Sequence, residues 1–303
     1  MRADFADLCT YAYVIVDELD QLVVAPHDHR PGSRSDFSDS AVLTLTRRAE
    51  LSGRDEEAAF LADAKRNHRA RFPQRPERSR DNRRRRAPTA ATNRIRGALM
   101  PPVLGRLAPA ARDRCVVDRL PVPVVGCHQA RGRHRWYGEA RDGDVASKQL
   151  TSFGDKRHLL LTHGGLILGF VLAPAHHADA ALTEPRLSAK QWLTVLGDQA
   201  DLHAALQDLL WWRNDLVLLT AKRAHPRQQH PPARTRAIAH CRQLLETRNS
   251  QLAAQVHVER NQAKRVAGRC ARLQAKLAAH PRGLYLNCLR GRPLLHLKDL
   301  ALI

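Results

Sequence analysis

This chain lacks most of the features that mark a secreted, membrane-spanning or zinc-stapled protein. Its six cysteines, Cys9, Cys115, Cys127, Cys241, Cys270 and Cys288, contain no C-x-x-C pair, so the usual spacing of zinc ligands is missing. Most of them sit in apolar runs, where a thiol packs as a small hydrophobe. The opening MRADFADLC carries acids where a signal peptide needs an apolar core. The longest apolar stretch, residues 159–175, contains His163 and a Gly-Gly pair and is too short and too interrupted to span a bilayer. No internal repeat is visible. Acids are scarce as well: 30 Asp and Glu face 50 Lys and Arg, for a net charge of +20. The expected setting is a reducing cytoplasm, with no membrane partner.

The basic surplus is what the chain has in its place. Such an excess attracts a polyanion, nucleic acid first, and implies association with the nucleoid. The charge is also clustered. Residues 65–86 read KRNHRARFPQRPERSRDNRRRR, in which eleven Lys or Arg face two acids, a local charge of +9. A run this dense repels itself unless a polyanion neutralises it. It can lay guanidinium groups along phosphates with little sequence reading of its own. Arg78, Arg80, Arg83, Arg84, Arg85 and Arg86 are the candidate contacts. Lys222 and Arg223, with Arg227, Arg234 and Arg236 beyond them, form a second patch, and RGRHR at 131–135 a third.

At 303 residues, 43% of them hydrophobic, the chain is long enough for about two domains. Helical spacing of apolar residues runs over 3–24 and ends before Pro26. Ser38 or Ser40 can cap a second helix. A third is expected over Glu56–Arg69, and a fourth near 89–108, disturbed by Pro101 and Pro102. These make a helical region of residues 1–110. From Cys115 the pattern changes. A buried strand begins at Val116. Apolar runs at 158–163 and 166–172 flank Gly164-Gly165, a hairpin signal. Further strands are expected at Leu193–Leu196 and Leu216–Leu219, with helices near 201–212, where Trp211 and Trp212 read as packing residues, and 233–256. A last helix, 265–290, should be interrupted at Pro281 and Gly283.

Three acids stand out against this pattern. Asp118 sits in CVVDRLPVPVV, Asp198 closes the apolar run LTVLGD, and Glu246 lies in the helical CRQLLETRNSQL. Strand, strand and helix, each bringing one carboxylate, is a way to gather hard oxygen ligands around Mg²⁺. Asp118 is the most telling, because an acid between Val116-Val117 and Leu120-Pro121-Val122 is costly to bury unless it binds metal or is paired. Arg242 is one turn before Glu246 on the same helix face and is a candidate phosphate contact.

With these residues the chain resembles a bacterial insertion-sequence transposase of the DDE class. The matching stretches are SDS (38–40), SRDNRRRR (79–86), VVDRLPVPVV (116–125), HLLLTHGGLILGFVLAPAHHAD (158–179), VLGD (195–198) and RQLLETRNSQL (242–252), in the family's order. The resemblance implies an α/β fold: a ribonuclease-H-like mixed sheet flanked by helices over residues 111–303, preceded by an all-α, DNA-binding region at 1–110. It implies two Mg²⁺ ions, for which Mn²⁺ can substitute. Asp118 would bridge both, Asp198 would hold one and Glu246 would complete the other. The partners implied are double-stranded DNA, as terminal inverted repeats and as target, and further copies of the chain assembled on it as a homodimer or larger. The reaction implied is hydrolysis to a 3′-hydroxyl followed by strand transfer.

Several positions depart from the family pattern. Of the family's Tyr–Arg–Glu–Lys signature only Arg242 and Glu246 are present, with Ala239 and Ala253 at the other two places. Gln199, Ala200 and Asp201 stand where Lys-Gly-Tyr commonly follows the second acid. His176, His177 and Asp179 occupy the region of an Asn-x-His-Asp motif and read as structural. A DNA-binding remnant with a collapsed site, or a plain metal-dependent nuclease, are the rival readings.

Overall fold

A computed structural model describes residues 5–29, 36–51, 57–67, 89–126, 141–145, 150–174, 187–197, 204–220, 230–258 and 266–297, with single positions between them that include Arg84. Two compact units emerge. The first joins residues 1–103 to 252–303, and the second is 104–251. The grouping does not follow the division at residue 110 read from the sequence, because the C-terminal stretch packs with the N-terminal one.

The described elements of the first unit are helices. They are α1 (Phe5–Val23), α2 (Asp39–Leu51), α3 (Glu57–Asn67), α4 (Thr89–Ala98) and α5 (Met100–Gly105, which ends in the second unit). The start of α2 follows from one side chain: Ser38 Oγ accepts from the Ala41 backbone N–H at 3.1 Å, an N-cap that satisfies an otherwise orphaned donor. Val42, Leu45 and Ala49 of α2 bury with Phe60 and Ala64 of α3. Val16 of α1 buries with Leu43 of α2 and with Ile95 of α4. The last long helix of the chain, α9 (Val266–Leu289), lies against α2 and α4.

The expected break in α9 is not there: the helix runs through Pro281. Pro281 removes one backbone donor, yet His280, Pro281, Arg282 and Gly283 are all buried, so packing holds the turn. Gly283 serves as a close contact rather than a break. A Cβ there would come within 2.6 Å of Leu297 Cδ2.

The second unit is a sheet with helices. Its strands are β1 (Arg114–Gly126), β2 (Arg141–Val145), β3 (Leu150–Thr162), β4 (Ile167–Pro174), β5 (Thr194–Gly197) and β6 (Val217–Thr220). Between them come α6 (Pro109–Arg112), just before β1, and α7 (Ala204–Asn214). After β6 comes α8 (Pro232–Val256), whose last turn belongs to the first unit. The sheet order is β2-β3-β1-β5-β6. β4 pairs with residues 155–161 of β3 while β2 pairs with 150–154, so the sheet is five strands wide. β1, β5 and β6 run parallel, and β3 is antiparallel to β1. The sheet is therefore mixed, with helices beside it: an α/β arrangement.

The β3–β4 hairpin forms where Gly164-Gly165 predicts it. Gly165 takes φ +89°, which an L side chain rarely adopts. At Gly164 a Cβ would meet Leu107 at 2.6 Å. β2 has no counterpart in the sequence reading, since RDGDV carries none of the alternation that marks a strand. The expected packing of Trp211 and Trp212 is corrected as well. They are 51% and 84% exposed, because α7 buries Leu206, Leu210 and Asn214, one helical face that excludes both. No described helix is long and apolar enough to cross a membrane. Five of the six cysteines form no disulfide among the described residues, and Cys127 lies outside them.

Candidate active site

The alternation of a strand decides where Asp118 points. Val116, Asp118 and Val122 share one face of β1 by the two-residue period. Val116 identifies that face, for it is buried with Leu196 of β5 and with Ile238 and Cys241 of α8. Asp118 therefore faces the side of the sheet that α8 covers, and it is half-buried there. Asn249 of α8 meets it: Asn249 Nδ2 donates a hydrogen bond to Asp118 Oδ2. The geometry of β1 also accounts for its two prolines. β5 pairs with β1 only at residues 114–116. Pro121 and Pro123 lie beyond that ladder, where a missing N–H breaks no bond to β5.

Helical periodicity then places the other residues of α8. Asn249 follows Ile238 by three turns, only roughly 20° around the axis, so both lie on the stripe that faces the sheet. Glu246 is three residues before Asn249, roughly 60° off that stripe. It sits on the helix shoulder beside the Asp118 contact, and its side chain is exposed. Arg242, one turn earlier, is exposed as well. Cys241, on the buried side, has its thiol pushed up by burial, with Arg114 acting the other way.

The antiparallel register with β3 adds charged neighbours that the sequence reading missed. Asp118 lies opposite Leu159, Leu120 opposite Arg157 and Val122 opposite Asp155. Directly opposed residues share a face, so Arg157 and Asp155 join Asp118 on the side toward α8. Arg157 is 0% exposed and Asp155 6%. Two carboxylates and a guanidinium thus share one buried sheet face. Their signal in the sequence was DKRH at 155–158, polar residues inside a strand whose continuation, Leu159–Leu161, is apolar.

The remaining expected site residues divide cleanly. Asp198 follows β5 directly and lies outside the described residues, as do His176, His177, Asp179, Lys222 and Arg223. Of the basic run, Arg78, Arg80, Arg83, Arg85 and Arg86 lie outside them too. Arg84 is described, and it is 8% exposed. Its guanidinium donates to Asp39 Oδ1 at 2.7 Å and sits 5.7 Å from the centroid of the Phe37 ring. Its charge is taken up by the start of α2. Arg234 and Arg236, on the first turns of α8, are exposed.

Asp118 and Asn249, which meet here, carry side-chain oxygens that are hard donors, the kind that suit Mg²⁺ or Mn²⁺ rather than a soft metal. Asn249 Oδ1 is buried and has no hydrogen-bond partner among the described residues, so this end of the site holds an unused oxygen. No group of three or more His, Cys, Asp and Glu side chains converges among the described residues; Asp198 is not one of them.

No curated protein and no solved structure matches the chain. A family model described as a transposase DDE domain matches residues 114–266, from the first residue of β1 to the first residue of α9 and just over half of the chain. The match takes in the strand that carries Asp118 and the helix that carries Glu246 and Asn249, and on that footing the chain belongs to the DDE transposase family.

Proposed function

We propose that this transposase cleaves DNA at the terminal inverted repeats of an insertion sequence and transfers the freed strand to target DNA, using Asp118, Asp198 and Glu246 as its acidic triad. The observation that carries the reading is the hydrogen bond between Asp118 and Asn249. It joins β1 to α8 within one turn of Glu246, so two of the three acids approach from separate elements. For the third, Val116 pairs with Leu196, and Asp118 and Asp198 are each two residues further along their chains. The strand order, with β1, β5 and β6 parallel and β3 antiparallel to both β1 and β4, supports a ribonuclease-H-like core.

DNA is the substrate that family membership implies, and DDE transposases generally use divalent metals. Bound between these acids, two Mg²⁺ or Mn²⁺ ions would activate the attacking oxygen and stabilise the leaving one. The chain's own residues do the rest. Asp118 presents oxygens from β1 and Glu246 from α8, Asp198 comes directly after β5 in the chain, and Arg242 on the same helix as Glu246 contacts a phosphate. Exposed Arg234 and Arg236 add positive charge to the first turns of the same helix, and Lys222 and Arg223 precede it in the chain. Residues 1–110, with the guanidinium groups of Arg78, Arg80, Arg83, Arg85 and Arg86, bind the ends. Arg84 pairs with Asp39 at the start of α2.

The test is a strand-nicking and strand-transfer assay on terminal-repeat DNA with Mn²⁺, run beside a DNA-binding assay. Asp118→Ala and Glu246→Ala should each lose cleavage while keeping DNA affinity. Cleavage at near the wild-type rate by either variant removes that residue from the triad. Light scattering with and without terminal-repeat DNA reads the assembly: a homodimer or larger is expected only when DNA is present.

A further inference from the structure

Asn249 lies on the sheet-facing stripe of α8, donates to one oxygen of Asp118, and carries a second polar atom that is buried and has no partner among the described residues. A buried carbonyl oxygen without a partner is destabilising, so an apolar residue would serve packing better at this place. What Asn249 supplies is a donor to a carboxylate. We propose that Asn249 is a positioning residue, which holds the Asp118 carboxylate in one rotamer through Oδ2 so that its other oxygen stays presented to a divalent cation. The inference rests on the reading of Asp118 as a metal ligand.

The choice of side chain fits that task. A lysine or arginine at 249 would pair with Asp118 and compete with the cation it must hold. An aspartate would repel Asp118 whenever the cation is away. The amide is neutral and donates one hydrogen bond, so it adds no charge of its own to compete with a cation. Its own position is set by α8, which Ile238 and Cys241 press onto Val116 and Leu196. The chain of restraint therefore runs from the hydrophobic contact, through the helix, to the amide and then to the carboxylate. Such supports of metal ligands are worth about 10–100-fold in metal affinity when removed.

The test measures Mn²⁺ binding to the full chain by titration calorimetry, together with the melting temperature in EDTA. Asn249→Leu keeps most of the volume and removes the donor; Asn249→Ala removes both. Both should bind Mn²⁺ about 10–100-fold more weakly, with Asn249→Leu melting in EDTA no lower than wild type. Asn249→Ala gives the same reading should the leucine variant fail to fold. Folded Asn249→Leu or Asn249→Ala binding Mn²⁺ within about twofold of wild type would overturn the proposal. Asp118→Asn separates the two levels. If Asp118→Asn keeps full Mn²⁺ affinity, the metal-site reading itself fails. If it loses affinity while both Asn249 variants keep theirs, only the positioning role fails.

Discussion

Lys276 of α9 and Glu50 of α2 form an ion pair at 3.0 Å in which the two side chains are 2% and 9% exposed. Lys276 Nζ also donates to the Val256 carbonyl at 3.0 Å. One ammonium thus ties the C-terminal helix to the second helix of the chain and to the end of α8. Burial makes the pair unforgiving, because removing one partner strands the other charge in a poor solvent.

Lys276→Met should therefore destabilise the first unit by about 3–5 kcal/mol, the cost of breaking a buried pair on one side. Replacing both partners, as Lys276→Met with Glu50→Met, should recover most of that loss. Urea unfolding followed by far-UV circular dichroism checks both. A double variant no more stable than the single one would show that the pair is not the reason.

Arg47 behaves in the opposite way. It is fully buried, and its three guanidinium nitrogens have no hydrogen-bond partner among the described residues. Burial lowers its pKa to about 10, with Asp20 acting to raise it. A charge kept in the interior without direct bonds costs stability, so an unbranched apolar side chain should do better there. Arg47→Met is expected to raise the thermal midpoint by a few degrees. A drop in midpoint would assign Arg47 a stabilising partner.

The Cys115 thiol is pushed up to about 12, chiefly by burial, while Lys190 lowers it and Asp113 raises it. The thiolate is the reactive form, so Cys115 should resist iodoacetamide at pH 8 in the native protein and react on unfolding. Peptide mapping after alkylation reads this directly. The sign of the pH effect follows from the raised value. Folding favours the protonated thiol, so its contribution is complete below about 9, the ordinary value, and is lost as pH rises toward 12.

Arg84 gives the sharpest separation between folding and DNA binding. If about six phosphates are neutralised by the basic run and its neighbours, the slope of log affinity against log salt should be near −5. Deleting residues 75–83 should flatten it. Arg84→Ala should leave the slope unchanged and lower stability, because its guanidinium is committed to Asp39. A slope that falls by about one in Arg84→Ala would place this side chain on phosphate.

Local chemistry made much of the chain legible in its sequence. Ser38 caps α2 because a hydroxyl three residues before an N–H needs nothing distant to reach it. Gly164-Gly165 turns the hairpin because glycine alone tolerates the backbone there. The apolar runs at β1, β3, β4, β5 and β6 declared themselves as strands, and Asp118 declared itself by interrupting one of them. Tertiary structure decided what depends on a distant surface. RDGDV becomes β2 only because the edge of β3 offers it a ladder. Trp211 and Trp212 face outward because Leu206 and Leu210 took the buried side of α7. The charge of +9 over residues 65–86 was plain, but not that Arg84 would spend its share on Asp39. On α8 the spacing of Arg242 and Glu246 drew the eye, whereas Asn249 carried no motif. Its role exists only because Ile238 and Cys241 press that stripe onto β1 and β5. A helix's period fixes which residues lie together, and only the packed sheet fixes which of them meet Asp118.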